Sequence, residues 1–365
     1  MATRDIDFAK VLDHNLNPTG AIAKHQWNSF IWTERYQDPG QFEMRLCGGA
    51  FEALSAADEY LGKFLRVPVS TETMLIEKVR YEGTRSDPYV TLTGRSAEVV
   101  LEQRILKEMS FPYGVPAYSL LEQAWDWTIG KDAEAARQIP QFIMDSPDHM
   151  RNYIDYAPDG KTLYDFLLYV ARYHMSGLRT RLHGENQLAI NFYRTRDLTG
   201  KGSGNPVFFT DTTKTLVNLV YEKDLQKHRN IGYVYLHGAH DDSNASVWFE
   251  VDNGAPNGIQ RREGITQPQI TWTKAAFQTY EQKKSLTSYG LGYIYEHKLY
   301  DQIEGEAPTN NVWVYGDTGH YYLGDWVMLG VRDKQQRCRV LEYTHAWTAD
   351  QGYRGYPRLE PMPRT

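Results

Sequence analysis

Phe30-Ile31-Trp32-Thr33-Glu34-Arg35-Tyr36, then Asp38-Pro39-Gly40, then Phe42-Glu43-Met44-Arg45-Leu46 is the stretch on which the fold turns. Phe30, Trp32, Glu34 and Tyr36 alternate with Ile31, Thr33 and Arg35, the period of two that sends successive side chains to opposite faces of a strand. Asp38-Pro39-Gly40 then reverses the chain, since Pro fixes φ at one turn position and Gly accepts the positive φ a type II turn demands next. Phe42, Met44 and Leu46 resume the period, so the segment reads as a hairpin. Around it, Val11 to Ile22, broken by Asn17-Pro18-Thr19-Gly20, reads as a second hairpin, and Met74–Tyr81 and Tyr89–Thr93 as further strands. Short strands with a turn signal roughly every ten residues point to a small barrel or a sandwich.

Beyond this strand block the pattern changes. Ser96 with Glu98 reads as the start of a helix running to about Lys107. Ser119-Leu120-Leu121-Glu122 reads as a capping box opening a helix that Gly130 closes. Thr162-Leu163-Tyr164-Asp165 opens another, with Leu163, Phe166, Leu167 and Val170 at helical spacing and Gly177 as its end. Leu178–Leu182 and Gln187–Tyr193 form a hairpin across His183-Gly184-Glu185-Asn186. After the soft break Thr199-Gly200-Lys201-Gly202-Ser203-Gly204, strands return at Val207–Phe209, Ile231–Leu236, Val247–Val251, Val312–Tyr315, Trp326–Val331 and Cys338–Tyr343. A helix from about Thr273 to Ser288 interrupts them, and the Pro- and Arg-rich tail after Asp350 reads as extended. The outline is β-rich, mixed, then β-rich again.

Composition narrows the function. The 365 residues carry a net charge of −6 and no long basic run, so the electrostatic footprint of a nucleic-acid binder is absent. The 26 Tyr and 9 Trp suit sheet faces and wet protein interfaces. Only Cys47 and Cys338 occur, which rules out a disulfide framework and leaves no Cys/His zinc spacing. Met1-Ala2-Thr3-Arg4-Asp5 lacks the apolar core of a signal peptide, and no stretch approaches the roughly 18 apolar residues of a membrane span. The expectation is a protein made in the cytoplasm, with no membrane insertion.

Motifs that carry chemistry are weak. Thr199–Gly204 is rich in glycine, but a phosphate loop must enter a helix, and here Asn205-Pro206 and a strand follow. His237-Gly238-Ala239-His240-Asp241-Asp242 holds four metal-ligand types without a helix or fixed turn to aim them, so it reads as a solvated loop. There is no Gly-x-Ser-x-Gly elbow and no His-Glu-x-x-His, and Cys47 has no catalytic signature around it. Carboxylate pairs such as Asp241/Asp242 and Glu304/Glu306 do not by themselves define a glycosidase cleft. Arg35 and Arg95 are suited to bidentate pairing with carboxylates, within the chain or across a subunit boundary. No catalytic, cofactor-binding or metal-binding residue is assigned, and no cofactor is expected.

Taken in order, Trp32-Thr33-Glu34-Arg35-Tyr36 with Gly40 and Phe42-Glu43, Met74-Leu75-Ile76-Glu77, Leu92-Thr93-Gly94-Arg95-Ser96 and Val100-Leu101-Glu102-Gln103-Arg104 continue into Leu163-Tyr164-Asp165, Pro206-Val207-Phe208-Phe209, Arg261-Arg262-Glu263 and Leu323-Gly324-Asp325-Trp326-Val327. This series, from about Val11 to Leu359, resembles a siphophage tail hub (minor tail protein) family, similar to the hub domain of tail-associated proteins and to the baseplate hub of contractile tails. The chain departs from that pattern at Thr215-Leu216 before Val217-Asn218-Leu219, and Asn253 to Gly305 aligns poorly.

The resemblance implies a mixed, β-rich α+β fold of two small β-barrels with an attached α/β domain, three chains forming a ring. The implied domains are 1–108 (first barrel), 109–200 (mixed α/β) and 201–365 (second barrel, with a helical insertion around 257–305). It implies a structural virion protein at the tail tip, not an enzyme. The implied partners are its own copies in a homotrimer, the distal tail protein ring, the C-terminus of the tape measure protein and a central fibre or spike. DNA would pass through the ring without sequence-specific binding. Longer relatives continue into a peptidase, lysin or fibre region, so a wall enzyme is expected on a separate protein. Two other readings remain open at this point. One is a tail-borne cell-wall or polysaccharide hydrolase; the other is a carbohydrate-binding adsorption module using Trp125, Trp127 or Trp248.

Overall fold

The computed structural model describes residues 5–47, 59–84, 87–107, 115–145, 147, 149–154, 160–184, 186–202, 204–255, 257–268, 272–274, 279–308, 311–316, 319–331 and 334–362. The fold is a β-rich α+β arrangement of mostly antiparallel sheets. The N-terminal strands are β1 (Phe8–Leu12), β2 (Pro18–Ala23), β3 (Trp27–Arg35), β4 (Gln41–Leu46), β5 (Phe64–Arg66), β6 (Thr73–Thr84) and β7 (Asp87–Ser96). The middle of the chain holds α1 (Ala117–Thr128), β8 (Phe142–Met144), α2 (Leu163–Tyr173), β9 (Gly177–His183) and β10 (Gln187–Tyr193). Then come β11 (Phe208–Thr210), β12 (Val217–Asp224), β13 (Ile231–Ala239), β14 (Asp242–Asp252), β15 (Glu263–Thr266), α3 (Tyr280–Glu296), β16 (Tyr300–Glu306), β17 (Trp326–Val331), β18 (Lys334–Thr348) and β19 (Gly352–Pro361).

The outer strand blocks share one 13-stranded sheet. Its order is β12, β16, β19, β18, β3, β4, β7, β6, β5, β1, β2, with β11 joined to β18 through β17. Among the described residues no sheet closes into a barrel, so the architecture corrects the expectation of two closed barrels: the strands run as one open sheet. The physical reason is β18. Its first part, Lys334–Arg339, pairs with β17, a register shift follows between Val340 and Glu342, and Glu342–Thr348 then pairs with β3. A bulge bends the strand and changes its twist, which lets one long strand serve both blocks.

Each block still has its own core. Phe30, Trp32, Phe42, Met44, Met74, Ile76 and Leu92 form the first, and β18 contributes Trp347 to it, stacked on Phe30 at 5.2 Å. Val207, Phe209, Leu216, Tyr321, Val327, Val340, Tyr343 and Leu359 form the second. Each fully buried large side chain of this kind contributes about 1.5–3 kcal/mol of hydrophobic stabilisation.

The helices differ from their sequence signals in instructive ways. Ser96 does not cap an α-helix; Ala97–Gln103 is a 3-10 helix, and the Ser96 hydroxyl is used elsewhere. α1 starts at Ala117 behind Pro116, so Ser119 lies inside its first turn. The Thr162 box is present: Thr162 Oγ1 accepts from Asp165 N at 3.0 Å while the Asp165 carboxylate accepts from Thr162 N at 3.3 Å. Replacing Thr162 by Ala is expected to cost about 1 kcal/mol, measurable as a lower urea midpoint, because a first-turn N–H of α2 loses its acceptor. α2 ends at Tyr173, with Met175 taking the left-handed φ of 51°. Gly177 instead opens β9, where a side chain would run into the Tyr193 ring. The first hairpin turns at Asp13–Asn17 rather than at Asn17–Gly20. Val312–Tyr315 is not a strand, whereas the tail read as extended after Asp350 is β19, paired along β18.

Tyr221–Gln302 forms a separate compact unit. Its sheet is β14, β13, β15, and one face packs on α3 through Val234, Leu236, Val251, Leu286 and Ile294. The chain leaves the larger unit along β12 and returns along β16, strands that are neighbours in the large sheet.

Candidate functional site

The segment around Trp32 is the seam of the large sheet. β3 pairs with β4 on one side and with β18 on the other, with Trp32 opposite both Phe42 and His345, and Glu34 opposite Tyr343. Alternation buries Phe30, Trp32, Glu34 and Tyr36 on one face, and Glu34 is as inaccessible as the aromatics beside it. On the other face Arg35 donates to Glu342 at 3.0 Å and to the Pro39 carbonyl at 3.0 Å. Arg95 is bidentate to Glu77 (2.9 and 2.8 Å) and reaches Glu102 at 3.0 Å. Both arginines therefore have carboxylate partners within the chain.

From Glu34 a buried polar chain runs through three parts of the larger unit. Tyr315 Oη donates to Glu34 Oε2 at 2.5 Å, and His345 Nε2 lies 3.8 Å from Glu34 Oε1. The Ser70 hydroxyl bonds Glu34 and accepts from Glu72 N at 3.0 Å. Gly40 N donates to Ser96 Oγ at 2.7 Å; Ser96 and Thr180 hydroxyls both donate to Glu98. Gly40 has no room for a side chain, since a Cβ there would stand 2.6 Å from the Thr33 carbonyl and 3.0 Å from Glu72 Oε2. One buried guanidinium faces this group. Arg179 lies over the rings of Tyr193 (4.9 Å) and Tyr322 (4.8 Å), and its Nε donates to Asn191 at 3.3 Å.

Three carboxyls in a dry interior cannot all ionise against so little positive charge. Burial raises the pKa of Glu34, Glu72 and Glu98 above the ordinary range, and Glu72 is pushed further by the neighbouring Glu34 and Glu98. The hydroxyls of Tyr193, Tyr315 and Tyr322 are likewise held protonated by burial. Such a group joins structure; it offers no open cleft in which a substrate could meet two carboxylates.

The sequence motifs find their roles nearby. Gly94 allows β7 to pass β6 where the register shifts between Ile76 and Lys78; a Cβ there would fall 1.8 Å from the Leu75 carbonyl oxygen. In Leu323–Val327, Gly324 has φ +80° and touches Tyr36, and Asp325 is buried, accepting from Arg196 (2.9 and 2.6 Å) and from Tyr322 N (2.9 Å). Trp326 lies under the guanidinium groups of Arg337 and Arg339, each at 4.3 Å. In the separate unit Arg261 links Glu250 (2.9 Å), Glu263 (2.5 Å) and Tyr233 (3.0 Å).

The residues weighed for other chemistry lie apart. His237 is exposed on β13, and His240 and Asp241 form the two-residue turn into β14, where Asp241 accepts from Lys274 N at 2.8 Å. Among the described residues, no three His, Cys, Asp or Glu side chains are grouped to hold a metal ion. Thr199–Gly202 folds on the Asp197 carboxylate, which accepts from the Thr199 amide and hydroxyl at 3.1 and 2.6 Å, and a strand follows. Cys47 is half-buried and Cys338 buried, both as free thiols. Trp127 and Trp248 are exposed, but Trp125 is buried in α1 and cannot stack on a sugar. No helix among the described residues is long and apolar enough to cross a membrane.

Sequence reading missed Arg179, Glu72 and Glu98 as members of this centre. The available signal was weak: Arg179 sits in a strand whose other positions also face the interior, so alternation does not separate it from the exposed basic residues.

Comparison with solved structures places the same fold in two tail proteins. The tail protein from Neisseria meningitidis MC58 matches with a TM-score of 0.56 and 13% identity, covering 98% of this chain and 96% of that one. The 43 kDa tail protein of prophage MuSo2 from Shewanella oneidensis matches with a TM-score of 0.58 and 10% identity, covering 96% and 98%. A comparison with curated proteins found no match. The model of the family described as Siphovirus ReqiPepy6 Gp37-like protein matches residues 8–357, and the chain belongs to that family of siphovirus tail proteins.

Proposed function

We propose that this chain is the tail-tip hub of a long-tailed phage, three copies forming a ring that joins the tail tube and distal tail protein ring to a central fibre or spike. The observation that carries the reading is the pair of strand blocks, each with its own core, locked together by β3 and β18. Two similar blocks per chain in a threefold ring give six comparable faces, which meet a sixfold tube above while a true threefold faces a trimeric fibre below. In this reading residues 1–108 and 201–365 supply the two barrel-like modules, and 109–200 the mixed domain between them. The open ends of the large sheet, β2 and β12, are strand edges that assembly would cover. The tape measure C-terminus and DNA pass through the ring, and the protein resides at the tail tip of the virion after synthesis in the host cytoplasm.

The test is symmetry. Electron microscopy of the purified protein and of particle tips is expected to show a threefold ring. A stable monomer in solution, together with tips lacking ring density, would overturn the proposal.

A further inference from the structure

The buried joint has a charge balance with a consequence for how the molecule opens. Glu34, Glu72 and Glu98 are each at most 3% exposed, and among the described residues Arg179 and His345 are the basic groups buried with them. The acids nearest to it at the surface are paired: Glu102 with Arg95 at 3.0 Å, and Asp38 with Arg172 at 3.0 Å. Tyr164, Tyr193, Tyr315 and Tyr322 stay neutral, and His345 also meets Tyr353, whose Oη lies 3.1 Å from its Nδ1, and the ring of Tyr343 at 4.8 Å. A neutral joint then holds two protons in either arrangement. With His345 uncharged, one carboxylate balances Arg179 and two carboxyls keep protons. With His345 charged, two carboxylates are balanced, one carboxyl keeps its proton, and the imidazolium holds the other.

Glu72 fits the protonated role best. Its Oε2 is buried and has no hydrogen-bond partner among the described residues, a position far worse for a charged oxygen than for a neutral one. The joint ties β3, the Ser70–Glu72 segment, the Ala97–Gln103 helix, β9 and β18, so exposing it means separating the N-terminal block from β9 and from the C-terminal block.

We infer that the joint between the strand blocks is a proton-loaded latch: closed, it keeps two protons on Glu34, Glu72, Glu98 and His345, and opening releases them to solvent. The sign follows from linkage. Groups whose folded pKa is raised contribute stability that is complete below the unfolded value and is lost as pH rises through the folded value. The carboxyl share is therefore present in acid and fades as pH climbs above the ordinary carboxyl range. Rising pH loosens this seam while the Tyr221–Gln302 unit, which lacks such a group among its described residues, is spared. The inference does not depend on the oligomeric state.

Hydrogen–deuterium exchange on the full chain, corrected for the intrinsic pH dependence of exchange, tests it. Between about pH 6 and about pH 9, opening measured at Trp32–Tyr36 and at Leu178–Arg181 is expected to rise by up to about a hundredfold per pH unit, the slope for two released protons, relative to amides of Tyr233–Leu236. Glu72→Gln, a permanent neutral analogue, is expected to reduce that slope to about tenfold per pH unit. Equal slopes for the joint and the reference amides, or an unchanged slope in Glu72→Gln, would overturn the latch. If Glu72→Gln does not fold, infrared difference spectroscopy of the native chain at neutral pH decides. A protonated carboxylic carbonyl band lost on unfolding supports the latch, and its absence refutes it.

Discussion

Replacing Arg179 by Met is expected to destabilise the protein by about 3–5 kcal/mol at neutral pH, the cost of leaving buried charge without its partner. The guanidinium is buried between Tyr193 and Tyr322 and faces Glu34 and Glu72, so methionine fills much of the volume and removes only the charge and the donors. Without it the folded joint must hold one more proton to stay neutral. The folded pKa values of Glu34 and Glu72 rise further, and the added cost grows as pH rises above the ordinary carboxyl range. Urea unfolding at about pH 5 and about pH 8 should therefore show a larger loss at the higher pH. A loss below about 1 kcal/mol at neutral pH would mean that the carboxyls are compensated by something other than Arg179.

Gly94→Ala is expected to be about as damaging, for a steric reason. The new methyl would sit 1.8 Å from the Leu75 carbonyl oxygen and 2.9 Å from the Phe42 ring. The first is a backbone atom in a paired strand, so the strain cannot relax by a rotamer change, and β6 and β7 must separate at their register shift. We expect at least about 3 kcal/mol, beyond the usual cost of one excess methyl in a core. Gly20→Ala is the matched control, because nothing lies within 4 Å of the added atom. It should change stability by less than about 0.5 kcal/mol. Equal denaturation midpoints for the two variants would refute the packing argument.

What could be read in advance was the periodic backbone. Phe30–Tyr36 and Phe42–Leu46 alternate cleanly, and the structure pairs them as read, because a core of Phe, Trp and Met dictates which face turns inward. Thr162 to Asp165 was equally legible, since a capping box is a local event. β19 was hidden because its inward positions are Gly355, Pro357, Leu359 and Pro361, a set in which only one residue looks apolar enough to mark a face. The helix read from about Thr273 to Ser288 runs on to Glu296 as α3. Gly290 lets it lie directly on the sheet, its added Cβ falling 2.4 Å from Val251, with Gly232 opposite it. The buried joint was illegible for a different reason. Glu34, Glu72, Glu98 and Arg179 come from four separate places in the chain, and a carboxyl meant for the interior is written with the same letter as one meant for water.

The path of the chain through β12 and β16 has a consequence for how such proteins diversify. Everything from Tyr221 to Gln302 hangs between two strands that already lie side by side, and its core of Val234, Leu236, Val251, Leu286 and Ile294 is its own. That excursion is exchangeable cargo: recombination at its two stems could graft a different appendage, or none, onto an unaltered sheet. The residues of the joint, drawn from the rest of the chain, have no comparable freedom to travel.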